Sequence, residues 1–154
     1  MHIWRRNVGQ TAFVEGWALY AEVLAGEMNL YSSPLSEFGM YNYQAWRAAR
    51  LVVDTGIHDK QWTREEAIQY LLDNTPNPEG DAKKAIERYI VMPGQALAYK
   101  VGELKIKQLR ARAEAALGED FDVRAFHEQV LNTGDIPLPV LEAKIDAWVA
   151  GGGQ

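Results

Sequence analysis

Every periodic stretch of this 154-residue chain repeats at three to four residues, and no alternating run of Val, Ile and Thr reaches strand length. A chain without a strand pattern has only helix-on-helix packing with which to bury its apolar surface. The expectation is an all-α fold, one multi-helix domain over residues 1–154. A hydrophobic content of 47% is enough for a single core at this length.

The punctuation places the helices. "TAFVEGWALYAEVLAGEM", Thr11 to Met28, reads as the first, with Phe13, Trp17, Tyr20 and Leu24 on one face and Glu15, Leu19, Glu22 and Gly26 on another. The flanks are filled by Val14, Ala18, Ala21 and Val23, so the helix reads as buried all round. A second opens at Ser33-Pro34 and closes at Thr55-Gly56, with Phe38, Tyr41, Ala45, Ala48 and Val52 expected inward and Arg47, Arg50 and Asp54 on another face. Thr63 and Glu66 have capping-box spacing for a third, which Trp62 staples onto Ala67. After the turn-rich "NTPNPEGD" a short helix from about Asp81 faces inward with Ala82, Ala85, Ile86 and Tyr89, and Pro93-Gly94 breaks it. Helices over 95–117, 123–132 and 139–150 complete the chain.

Composition removes several function classes. A formal net charge of −5 with no uncontested Lys/Arg stripe argues against nucleic acid. No apolar run approaches the ~20 residues of a bilayer span, so no membrane partner is expected. The absence of cysteine excludes disulfides and thiolate metal sites. "MHIWRRNVGQ" lacks the features of an export signal, which leaves a cytoplasmic location as the default. Five Trp, seven Tyr and four Phe are more aromatic surface than one small core hides, so a partner or a further part of the same protein is expected.

The chemistry starts from Glu15. An unpaired ionised carboxylate in an apolar helix costs several kcal/mol, so it is paired, protonated or metal-bound. Arg47, Arg50 and Arg88 are the arginines available for a salt bridge. Of the histidines His2, His58 and His127, none has the spacing of an H-E-x-x-H zinc helix. His127 is expected at the surface, whereas His58 follows a helix end beside Asp54, a carboxylate able to orient it. In "ERYIVMPGQALAYKVGE", Arg88 and Tyr89 precede the break, and Gln95, Tyr99 and Glu103 follow at i, i+4, i+8. Such phenols are either core residues with a hydrogen-bonded tip or donors to a developing oxyanion.

The phrases "FVEGWALYAE", "RAARLVVDTGIH", "WTREEAIQYLL", "ERYIVMPGQALAYKVGELKIKQLRARAEAALG" and "FDVRAFHEQVLNTGDIPLPVLEAKIDAWV" closely resemble, in this order, the C-terminal part of the bacterial family called domain of unknown function 885. That family is similar in pattern to zincin-type metallopeptidases and to the helical peptidases that include angiotensin-converting enzyme. The resemblance implies a zincin-like C-terminal helical subdomain. It also implies that Glu15 is the third protein ligand of zinc in the complete protein, and that Tyr89 is an oxyanion donor supported by Arg88. By position His58 joins these as a catalytic candidate, with Glu22, Asp54, Gln95 and Tyr99 supporting them from behind.

Members of the family carry an H-E…P-G-H-H motif upstream of "EGWALY", and this sequence does not contain it. The expectation is the C-terminal helical part of a zinc-dependent metallopeptidase or other hydrolase with a peptide-like substrate, truncated, holding no zinc stably and inactive alone. The alternative is a stand-alone, non-catalytic helical module for binding or homo-oligomerisation. The partner would be the missing N-terminal part of the parent protein in the first case and a second copy in the other.

Overall fold

A computed structural model of the chain describes residues 8–153, so His2 lies outside the described residues. Seven α-helices and two single 3-10 turns make up its regular structure, and no strand occurs among the described residues. The helices are α1 (Thr11–Glu27), α2 (Pro34–Asp59), α3 (Arg64–Asn74), α4 (Glu79–Val91), α5 (Ala98–Leu117), α6 (Val123–Leu131) and α7 (Leu138–Ala150). The all-α expectation holds. The described residues divide into two compact units, 8–20 with 101–153, and 21–100, the boundaries falling within α1 and α5.

In the unit formed by both chain ends, the core contains Phe13, Leu19, Ile106, Leu109, Phe126, Leu141, Ile145 and Trp148. Gly16 of α1 and Gly102 of α5 meet there, and a Cβ on Gly102 would overlap the carbonyl oxygen of Ala12 and lie 2.7 Å from the Cα of Gly16. Only two residues without side chains let the backbones approach this closely. Across α5 and α7, Glu142 accepts from Lys105 at 3.1 Å and Arg112 at 3.2 Å, and Arg112 reaches Asp146 at 2.7 Å.

α1 is not buried all round. Its inward residues in this unit are Phe13, Gly16, Leu19 and Tyr20, while Val14 and Ala18 are exposed. His127, expected at the surface, is half-buried: its Nε2 lies 2.8 Å from the Tyr20 hydroxyl, and the Trp17 ring meets it edge-on at 5.4 Å. The charged residues around His127 mask an aromatic side that only the packing reveals.

The central unit is built on α2, against which α3, the 3-10 turn Gln95–Leu97 and α4 pack. Its core joins Trp46, Ala49 and Val53 of α2 to Ala67, Ile68 and Leu71 of α3 and to Ala82, Ile86 and Tyr89 of α4. The caps follow the sequence. Ser33 takes the Ser36 N–H, and the Thr63–Glu66 capping box closes in both directions.

The buried face of α2 corrects the sequence expectation. Phe38 and Tyr41 are more than half exposed, Ala45, Ala48 and Val52 are also exposed, and Arg50 and Asp54 turn inward with Trp46, Ala49 and Val53. Nor does the helix stop at Thr55-Gly56. It runs on to Asp59, and a Cβ on Gly56 would come within 2.5 Å of the Trp62 ring. Glycine there makes room for the indole rather than capping the helix.

Candidate functional site

The break after α4 is held from two sides. Asp54, 2% exposed, accepts the Gly94 N–H on both carboxylate oxygens, at 3.1 and 3.2 Å, and Gly94 takes a left-handed φ of 79°. His58 Nε2 lies 2.9 Å from the Tyr89 carbonyl oxygen. Since a carbonyl only accepts, the ring nitrogen facing it carries the proton. Asp54 therefore grips Gly94, and His58 separately holds the last turn of α4.

The side chains at this break form a cluster of cations and phenols. The Arg50 guanidinium lies 4.7 Å from the centroid of the Tyr99 ring and 5.7 Å from that of Tyr89. Arg88 lies 5.3 Å from the Tyr89 ring, and Arg47 lies 4.5 Å from Tyr43 and 5.8 Å from Tyr99. Ring faces carry negative potential, so each guanidinium is attracted to its neighbour without an ion pair. Burial pushes the Arg50 guanidinium below its ordinary value; the rings of Tyr89 and Tyr99 oppose that, and the neighbouring Arg47 and Arg88 add to it.

Five of the residues singled out in the sequence thus come together: His58, Arg88, Tyr89, Asp54 and Tyr99. Gln95 opens the 3-10 turn that follows Gly94 and is half-buried. Glu22 is half-buried on α1, where its backbone carbonyl accepts the Tyr31 hydroxyl at 2.7 Å. Burial and the Glu22 carboxylate raise the Tyr31 phenol above its usual range. The sequence places Arg47 and Arg50 on one face of the second helix with Asp54 and offers them as salt-bridge partners for Glu15, but does not assign them to this cluster. Their i, i+3 spacing in "RAAR" puts both on one side of α2, which is what lets both reach the Tyr99 ring.

Glu15 belongs to the other unit and is half-buried. It has no ion pair or hydrogen bond among the described residues, so it makes no salt bridge to Arg47, Arg50 or Arg88. Among the described residues no three of His, Asp and Glu come together as metal ligands. They do not complete a zinc site, which needs about three protein ligands and an open position for catalysis.

Two solved structures are similar to this chain. A candidate lipoprotein from Colwellia psychrerythraea matches 92% of the chain at 47% identity with a TM-score of 0.89, and a candidate lipoprotein of unknown function from Shewanella oneidensis matches 88% at 29% identity with a TM-score of 0.81. The matched part is 24% of the first protein and 25% of the second, so the chain spans about a quarter of each relative's length. No curated protein matches it. Residues 1–145 match the family described as "Bacterial protein of unknown function (DUF885)", and the chain belongs to that family.

Proposed function

We propose that the chain is the C-terminal helical part of a zinc-dependent peptidase-like hydrolase, to which it contributes Glu15 as one metal ligand and Arg88 and Tyr89 as the groups facing a developing oxyanion. The observation carrying this reading is Glu15 itself. It is a half-buried carboxylate on a core helix, beside the Gly16 backbone contact, with no cation or donor among the described residues to account for it. A carboxylate held this way suits a ligand whose charge is balanced by something outside those residues. The remaining ligands, and any water-activating group, lie beyond this chain's described residues, and no catalytic step is assigned to them.

The chain alone is expected to be inactive. Incubated with zinc and a panel of short peptides, it should show no turnover above a zinc-only control; zinc-dependent hydrolysis at enzyme-like rates would refute this. Glu15→Gln should leave the stability of the chain within about 1 kcal/mol, since no ion pair is lost. A loss of about 3 kcal/mol or more in chemical denaturation would restore the salt-bridge reading.

A second reading, the non-catalytic binding or self-association module, draws on the first half of α2. Leu35, Phe38 and Tyr41 are 78%, 57% and 58% exposed there. An apolar face of this kind fits a partner surface. If it seats a second copy, sedimentation equilibrium should show a dimer that Phe38→Glu abolishes, and a monomer throughout the micromolar range would end that reading.

A further inference from the structure

Arg47, Arg50 and Arg88 are linked through three phenols, Arg47 meeting Tyr43 and Tyr99, Arg50 meeting Tyr99 and Tyr89, and Arg88 meeting Tyr89, with no carboxylate paired to them among the described residues. Asp54, the buried acid nearest in sequence, has both oxygens on the Gly94 amide. Arg50 is only 9% exposed, and its Nε and Nη1 are sealed from water with no acceptor. The Tyr89 hydroxyl is likewise buried without a partner, in a residue 1% exposed, and so is Nε of Arg47. Stranded donors of this kind are costly, most of all on a charged group, and native interiors seldom leave several together. Stacking on rings satisfies the faces of the guanidinium groups and leaves their N–H edges open.

We infer that this cluster is a binding site for the carboxylate of a small organic ligand, with Arg50 as its central cation, Arg47 and Arg88 flanking it, and Tyr89 supplying a hydroxyl donor. A carboxylate offers two oxygens to planar guanidinium groups and accepts without donating, which matches a site rich in donors. The charge balance favours a monoanion. Of the three only Arg50 is buried, Arg47 is half-buried and Arg88 exposed, so one negative charge neutralises the cation that water reaches least. The rings of Tyr43, Tyr89 and Tyr99 provide apolar faces for the body carrying the acid. This goes beyond the hydrolase reading. It needs no zinc, and it makes a bound carboxylate, in place of a developing oxyanion, the anion that Arg88 and Tyr89 face.

The test follows the Arg50 Nε–H resonance in the 15N-labelled chain, assigned by its disappearance in Arg50→Lys. N-acetylglycylglycine, its C-terminal amide and inorganic phosphate are titrated separately at constant ionic strength. The acid should shift the resonance saturably, and the amide should bind at least about tenfold more weakly, the loss expected from removing one charge-assisted contact. Arg88→Gln, an exposed substitution that leaves the core intact, should weaken the acid by a similar factor. The inference is overturned if the acid gives no saturable shift, if the amide binds as well, if phosphate binds more tightly, or if Arg88→Gln changes nothing. Calorimetric titration of any longer form of the protein should reproduce the preference for acid over amide. Loss of binding there would assign the cluster to an internal carboxylate and overturn the ligand reading.

Discussion

Gly102→Ala is expected to destabilise the chain by about 3 kcal/mol or more, although the same change in an open helix is favourable. Helix propensity alone would reward it by about 1 kcal/mol. Here the new methyl group would meet the Ala12 carbonyl oxygen and the Gly16 Cα, both on the backbone of α1, so no side-chain rotation relieves the overlap. The helices must separate along a contact flanked by Phe13, Leu19 and Ile106, all buried. Gly39→Ala is the control, because nothing lies within 4 Å of its Cβ position. It should be neutral or stabilising by up to about 1 kcal/mol. Opposite signs for the two variants in chemical denaturation establish the backbone contact, and equal stability would disprove it.

Asp54→Ala is expected to cost about 2 kcal/mol, the scale of a hydrogen bond to a buried charged acceptor. Among the described residues the carboxylate is the side chain that holds the Gly94 amide, so its loss frees the turn that carries the chain from α4 to Tyr99. Asp54→Asn keeps an acceptor and should retain at least half of that stability. Denaturation of the three proteins decides the matter. If Asp54→Ala matches the parent, the carboxylate is not a brace, and a role in chemistry becomes the better explanation for burying it.

The helix ends were largely legible, because their signals are local: Thr63 and Glu66, Ser33 before Pro34, and Pro93-Gly94 each act within a few residues. The inward face of α2 was not. Apolar counting chose Phe38, Tyr41 and Val52, yet burial is decided by what α3 and α4 bring opposite, and they cover Trp46, Ala49 and Val53. Arg50 and Asp54 are buried beside these because each meets something a linear reading does not show, tyrosine rings in one case and a backbone amide in the other. Gly56 looked like a stop signal for the same reason, since its neighbour Trp62 arrives only after the chain turns. Within the site, Arg88 and Tyr89 were found through resemblance, whereas the meeting of Arg47 and Arg50 with the phenols of other segments is tertiary information.

The bond from His58 to the Tyr89 carbonyl limits what that imidazole has left to offer. Its Nε2–H donates to the carbonyl, so that nitrogen is committed to holding the last turn of α4. Nδ1 is the ring nitrogen left for another partner. A metal ion arriving at Nε2 would have to displace the carbonyl first, so that edge of the ring is a fixed part of the frame around Tyr89.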